Sequence, residues 1–475
     1  MNHPSYNRSL HRIAIATALA TFPLIFMGGL VTTKGAGMSV PDWPNSYGYN
    51  MFLFPPNQWV GGILYEHTHR LMGTVVGFLS IVLALFAFGP ARTLASRRRL
   101  RIATVITSIA AFVLLLILVV IKGARAPHVA DVFTRVSHAF VVALGAALVL
   151  GVASLARHRE PRRWLRWVCV GVLAAVIFQG VLGGLRVVLV ELDLAVIHGC
   201  FAQAFFCFVA FVILATSRLW DRLANVLSTD APTPVSERIH EYPDPLTRGT
   251  ATAGRPTAES GVLDYVRPGV FNSASNFHVP RSFARLAVVA VAVVYLQLII
   301  GATMRHYDAG LAIPDLPLHY GKVLPPTNDT TLAEANLMRA NSGSPDLRPV
   351  TLTQIWFHVG HRAGAVLVTI VLGLLIWRSL RDRELHFAAR NPALILIPLL
   401  LTQLTLGILT VLLHKPADIA SLHVAVGALV LVTTFSLAVR AVIASRGAPS
   451  GVSAGHTGRA AVDRQNVNGY RAVTT

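Results

Sequence analysis

The sequence predicts an all-α polytopic membrane protein, built as two pseudo-symmetric four-helix bundles plus an inserted helical hairpin, about ten transmembrane helices in total. Three observations predict it. Apolar runs near 20 residues recur along the chain, the length that crosses about 30 Å of hydrocarbon. Only 13% of the 475 residues are charged and mean hydropathy is +0.58, whereas a soluble chain carries about 25% charged residues. Finally, a stretch of the first half reappears in the second, and each copy is followed by a His-Arg pair at the head of an apolar run.

The first run, Ile13 to Val31, follows Arg8, His11 and Arg12 and has the look of a signal peptide. Its end belongs to the repeated stretch, so it reads as an integral helix. Further runs cover about 59–88, 101–122, 131–156, 165–188 and 193–216, then 283–304, 354–377, 393–413 and 419–444. Arginines cluster in alternate connections: Arg92, Arg97, Arg98, Arg99 and Arg101; Arg157, Arg159, Arg162, Arg163 and Arg166; Arg378, Arg381, Arg383 and Arg390. That alternation is the positive-inside pattern, and it predicts a cell (inner or plasma) membrane protein with both termini in the cytoplasm. It also accounts for the net charge of +19 as topology, so no nucleic-acid partner is expected.

The runs divide the chain into an N-terminal membrane half, 1–220, carrying the hairpin at about 95–160, and a C-terminal membrane half, 283–445. Residues 221–282, rich in Pro, Thr, Ser and Asp, read as a cytoplasmic linker. The Gly/Ser/Ala/Arg-rich tail, 446–475, reads as disordered. Cys169, Cys200 and Cys207 all fall in apolar runs without a CxxC spacing, which excludes a thiolate metal site and a disulfide framework.

The repeat pairs Gly28 to Gly48, GGLVTTKGAGMSVPDWPNSYG, with Gly301 to Gly321, GATMRHYDAGLAIPDLPLHYG. Without gaps, Gly37, Pro41, Asp42, Pro44, Tyr47 and Gly48 match Gly310, Pro314, Asp315, Pro317, Tyr320 and Gly321. Glycine and proline there punctuate a turn that a continuous helix could not make. Later in each half, Gln179-Gly-Val-Leu-Gly183 precedes His198 and Gln403-Leu-Thr-Leu-Gly407 precedes His423. Each half is therefore a four-helix unit with histidines on its second and fourth helices, the mark of a parallel duplication. The runs at 101–122 and 131–156 have no counterpart, hence the inserted hairpin.

Glu66-His67-Thr68-His69-Arg70 opens one run and His358-Val359-Gly360-His361-Arg362 opens its copy. Ionisable groups at such positions are expensive in hydrocarbon and mark function. His69, His198, His361 and His423 share a depth in this topology, and two imidazoles facing across a four-helix unit can hold one haem iron from both sides. A single histidine on an apolar helix is usually a satisfied core residue; four at matched repeat positions favour ligation. Glu66 shares a helix face with His69, and the second half has His358 in its place. That asymmetry favours a catalytic first site and an electron-transfer or structural second one. His67 points elsewhere and reads as a bystander. Arg70 and Arg362 fit haem propionates as well as they fit helix-end arginines snorkelling to the interface. His138, near Asp131 and Arg135 in the hairpin, lacks a repeat partner and reads as structural, and His306, His319 and His414 are weaker candidates still.

GGLVTTKGAGMSVPDWP, then EHTHR, then helices headed by single histidines resemble the haem A synthase family across both membrane halves. The resemblance implies conversion of haem O to haem A, a ring methyl oxidised to a formyl group for terminal oxidase assembly, by a haem-dependent membrane oxidoreductase. It implies catalytic roles for Glu66, His69 and His198 around the haem O substrate, with iron ligation by His69 and His198. It places haem b between His361 and His423. Glu66 would assist proton movement, as a carboxylate in a low-dielectric setting can. Haem O synthase, an electron donor and a homo-oligomer are partners compatible with that role. Some members carry a cysteine pair in the first loop; the stretch after Pro41-Asp42-Trp43-Pro44 has none. Two other readings of the same residues are a quinone-binding dihaem carrier of cytochrome b type and a repeat-built transporter.

Overall fold

The computed structural model describes residues 7–89, 93–122, 129–156, 158–220, 222–223 and 279–446. Most of the expected linker (221–282) and all but the first residue of the expected tail (446–475) lie outside the described residues. Ten of the described helices are long and apolar enough to cross a membrane. In the first half they are α1 (Arg8–Thr33), α2 (Gly62–Phe88), α3 (Leu94–Lys122), α4 (Val129–Leu155), α5 (Arg163–Leu189) and α6 (Leu192–Ala215). The second half has α7 (Arg281–His306), α8 (Asp329–Asn341), α9 (Leu352–Arg381), α10 (Asn391–Leu412) and α11 (Ala417–Arg446), of which α8 is too short to span.

Packing follows the repeat. In the first half α1 pairs with α2, α2 with α5, α5 with α6 and α6 with α1. The second half repeats the ring with α7, α9, α10 and α11. Each bundle has its own apolar core, Leu83, Val172 and Val209 in the first and Ala287, Leu372 and Leu437 in the second. The two meet along α1, α6, α7 and α11, where Ile25, Phe206 and Ala428 form a small shared core. Gly29 of α1 lies so close to Ser421 of α11 that a Cβ there would meet the Ser421 Cα at 3.1 Å. Small residues allow that approach where van der Waals packing, rather than water exclusion, drives helix association.

The hairpin α3–α4 stands outside this arrangement. Its helices pack on each other, and α4 also runs along α2. Half of α11's apolar window is buried against protein, compared with 11% for α3 and α4. The hairpin is therefore peripheral, with Ile106, Phe112 and Val120 turned outward, as a lipid-facing surface would be.

One helix has no counterpart in the sequence reading. The connection between the runs at 283–304 and 354–377 contains α8. Its start is fixed by a capping box between Asn328 and Thr331. A search for spans passes over a 13-residue polar helix.

Candidate functional site

The four histidines lie six to nine residues into α2, α6, α9 and α11, about 9–14 Å along each axis at 1.5 Å per residue. All four are at the end of the molecule that carries the long connections 34–61 and 307–351. The structure brings them together in two pairs. The rings of His69 and His198 have centroids 6.3 Å apart and planes 75° apart. Those of His361 and His423 are 6.4 Å and 70° apart.

Each ring lies against a glycine of the neighbouring helix. A Cβ on Gly183 or Gly301 would sit 2.9 Å from Cε1 of His198 or His361; on Gly28 or Gly407 it would sit 3.1 Å from Cε1 of His69 or His423. Four residues before three of these glycines stands a glutamine. Gln179 Nε2 donates to the His198 carbonyl at 2.8 Å. Gln297 Nε2 donates to the His361 carbonyl at 2.8 Å and lies 3.1 Å from its Nδ1. His423 Nδ1 donates to the Gln403 carbonyl at 3.1 Å, and the Gln403 amide reaches its Nε2 at 3.4 Å. Leu24 holds the fourth such position. Sequence reasoning paired Gln179 with Gln403 but missed Gln297 and the role of all four glycines. A Gln-x3-Gly search would have found Gln297.

A loop covers each pair, and the two loops are built from the same bonds. Asp42 accepts from the Tyr47 and Gly48 amides at 2.7 and 2.8 Å, and Asp315 accepts from those of Tyr320 and Gly321, both at 2.8 Å. Tyr47 and Tyr320 have φ of 51° and 57°, followed by Gly48 and Gly321 at 76° and 75°. Left-handed tyrosines persist only where neighbours hold them, and the aspartates do that here. Trp43-Pro44 and Leu316-Pro317 are both cis. Each tyrosine hydroxyl then donates back to its own loop, Tyr47 to the Ser39 carbonyl and Tyr320 to the Ala312 carbonyl. Burial raises the Tyr320 phenol above its ordinary value, while the hydrogen bond from Arg339 works in the opposite direction.

Arg70 and Arg362 were expected at propionates or at the interface. The structure gives them a third task, because their hydrogen bonds run to loop carbonyls. Arg70 donates to Asp42 (2.6 Å), Asn45 (3.0 Å) and Val40 (2.6 Å), and Arg362 to Asp315 (2.7 Å), Leu318 (3.1 Å) and Ile313 (2.9 Å). Glu66 and His358 also turn out to share a role. Glu66 Oε2 accepts the Val40 amide at 2.8 Å, and His358 Nδ1 accepts the Ile313 amide at 3.2 Å. What separates the two halves is charge, since Glu66 also pairs with Arg70 at 3.0 Å, almost fully buried.

His67 is a loop anchor. It is buried between Phe54 and Trp59 with Nδ1 3.2 Å from the Ser46 hydroxyl. His138 is not drawn into either pair; it reaches Asn45 of the first loop at 3.0 Å. His306 bonds its own helix at the Ala302 carbonyl, while His319 and His414 lie in turns.

Two arginines stand out that sequence reasoning did not assign. Arg186, in the last turn of α5, donates to the Gly37 carbonyl at 2.6 Å. Arg305 of α7 crosses to the first half and donates to the Gly29 carbonyl and the Thr33 hydroxyl of α1. Among the described residues no carboxylate lies within ion-pair distance of Arg305, and its Nε has no partner.

Among the described residues no group of three or more His, Cys, Asp or Glu could hold a bare metal ion. Pairs of histidine suit a metal whose other positions are already filled, as porphyrin nitrogens fill them in haem. The separations fit too: imidazole nitrogens about 2.0–2.1 Å from a shared metal leave ring centroids a little over ~6 Å apart.

Residues 261–435 match the family described as COX15-CtaA, cytochrome oxidase assembly protein. Over part of its length the chain is similar to haem A synthases. It is 29% identical over 161 residues to the haem A synthase of Shewanella oneidensis, covering 33% of this chain and 46% of that protein. With that of Rickettsia bellii it shares 29% over 151 residues, 32% of this chain and 40% of the relative. With that of Shouchella clausii it shares 31% over 83 residues, 17% and 26% respectively. The matched segments thus span less than half the length of these relatives.

Proposed function

We propose that the chain is a haem-dependent membrane oxidoreductase that converts haem O to haem A, with haem O held between His69 and His198 and haem b between His361 and His423. The observation that supports this best is the pair of facing histidines in each half, every ring backed by a glycine. The iron supplies the oxidising chemistry at the ring methyl. The protein's own residues bind, orient and exclude water. The His423 Nδ1 bond to Gln403 fixes its tautomer with the lone pair on Nε2, the donor a metal requires. Glu66 and Arg70 close the first loop over the site. Arg305, a half-buried cation with no carboxylate within ion-pair distance among the described residues, is a partner suited to a haem carboxylate. With the arginine-rich end in the cytoplasm, both pairs face the outer side of the cell membrane.

The test is direct. Purified protein should carry b-type haem and, supplied with haem O, a reductant and oxygen, should yield haem A on pigment chromatography. Cells lacking it should accumulate haem O. Haem-loaded protein that leaves haem O unchanged would establish the dihaem carrier instead; colourless protein would remove both haem readings.

The glycines give a second expectation. Alanine at Gly183 or Gly301 must displace the imidazole it touches, an overpacking cost of about 1–3 kcal/mol. Haem affinity should fall by roughly tenfold or more, with milder losses at Gly28 and Gly407, where the added methyl has more room. Haem titration of the four variants checks the order.

A further inference from the structure

The two site loops share the bonds made by their aspartate, tyrosine and arginine, and they differ at one position that faces the hairpin. Asn45 and Leu318 both offer their backbone carbonyl to the loop arginine. Beyond that they differ: the end of the Asn45 side-chain amide lies 3.0 Å from His138 Nε2, whereas Leu318 is exposed. His138 belongs to α4, half of the hairpin that the second bundle lacks; its Nδ1–H donates to the Thr134 carbonyl at 2.7 Å, so its Nε2 accepts from the Asn45 side-chain amide. The half with the hairpin has an amide to meet it, and the half without has an apolar residue.

The second loop is clamped by other means. Arg339 of α8, 4% exposed, donates to the carbonyls of Leu311 (2.8 Å) and Arg348 (2.6 Å) and to the Tyr320 hydroxyl (3.2 Å). That is a buried charged group with several partners, and such bonds are the strong ones. The first loop is held by buried His67 at Ser46 and also by a half-buried contact to the peripheral hairpin. It nevertheless covers the first histidine pair: Trp43 lies on Gly184, next to the glycine that backs His198, and Gly37 is held by Arg186.

We infer that His138 is a positioning residue that pins loop 40–47 over the His69/His198 pair through Asn45, a contact that the loop over the His361/His423 pair lacks. This rests on the reading that the pairs hold tetrapyrroles. The hairpin is then a strap for the first site, and α8 is a cap for the second. Asn45 is its receiving end, linked through its own carbonyl to Arg70 and from there to Glu66.

Hydrogen exchange on the full-length protein tests the strap without depending on haem. In His138→Ala and Asn45→Leu, amides of segment 39–48 should exchange about fivefold faster, the effect of losing one ordinary hydrogen bond. Segment 312–321 should be unchanged and serves as the internal reference. The double variant should add nothing to either single one, and His138→Gln should restore protection. A second readout is release of haem from the first pair to excess apomyoglobin, which should accelerate by a similar factor while the second pair keeps its haem. Unchanged exchange in 39–48, or equal change in both loops, overturns the inference. Exchange that responds in a protein that never binds haem leaves the strap standing and removes the haem reading beneath it.

Discussion

Alanine in place of His423 or His361 should remove the haem of the second half altogether and lower the b-type absorbance of fully loaded protein by about half, since one axial ligand remains where two are needed. The loss has a local cause. Gly407 and Gly301 offer no side chain that could replace the ring, so truncation leaves a void beside the vacant position. That void makes the variant informative. His423→Gly with added imidazole should recover the absorbance, because a free imidazole fits the space the side chain left. Recovery separates a lost ligand from a misfolded bundle. Absorbance identical to the unaltered protein in both alanine variants would sink the assignment of the second pair.

The second large effect is at Glu66. Both carboxylate oxygens are in use, one by the Val40 amide and one by Arg70, with the Glu66 side chain only 3% exposed. Glu66→Ala strands a buried guanidinium and a buried amide together. Removing one partner of a buried pair costs about 3–5 kcal/mol. The three carbonyls that still hold Arg70 place the expectation toward the lower end. Glu66→Gln keeps an acceptor for Val40 and should cost about 1–3 kcal/mol. Thermal unfolding in detergent should therefore rank the unaltered protein first, the glutamine variant second and the alanine variant last. If haem A formation falls much further than stability in Glu66→Gln, the carboxylate has a chemical task beyond holding the loop. An alanine variant as stable as the parent would contradict the burial of the pair.

The spans were legible because hydrocarbon imposes length and apolarity, and those survive in sequence. Their ends were less so. α3 begins at Leu94 rather than 101, and α9 runs on to Arg381 rather than 377, because arginines lower hydropathy without breaking a helix. The histidine pairs could be read because duplication presented each one twice at equivalent depth. The work of Arg70 and Arg362 could not be read: a guanidinium that bonds loop carbonyls 25 to 30 or 44 to 49 residues distant leaves no local pattern. The substitution of His358 for Glu66 read as a chemical difference, and the structure shows both accepting the same loop amide. Sequence reports residue type, whereas the atom that is used depends on where the facing loop comes to rest.

Leu24 gives the duplication a mechanical consequence. A glutamine amide touches each of His198, His361 and His423, but four residues before Gly28 the chain has leucine, which has no side-chain hydrogen to donate. Three of the four histidine-bearing turns thereby meet a glutamine amide from a neighbouring helix, whereas His69 has only the Leu24 backbone to lean on at the matching place. The molecule resembles a vice with three jaws braced by an amide and a fourth braced by backbone only, so duplication has left its four grips unequal.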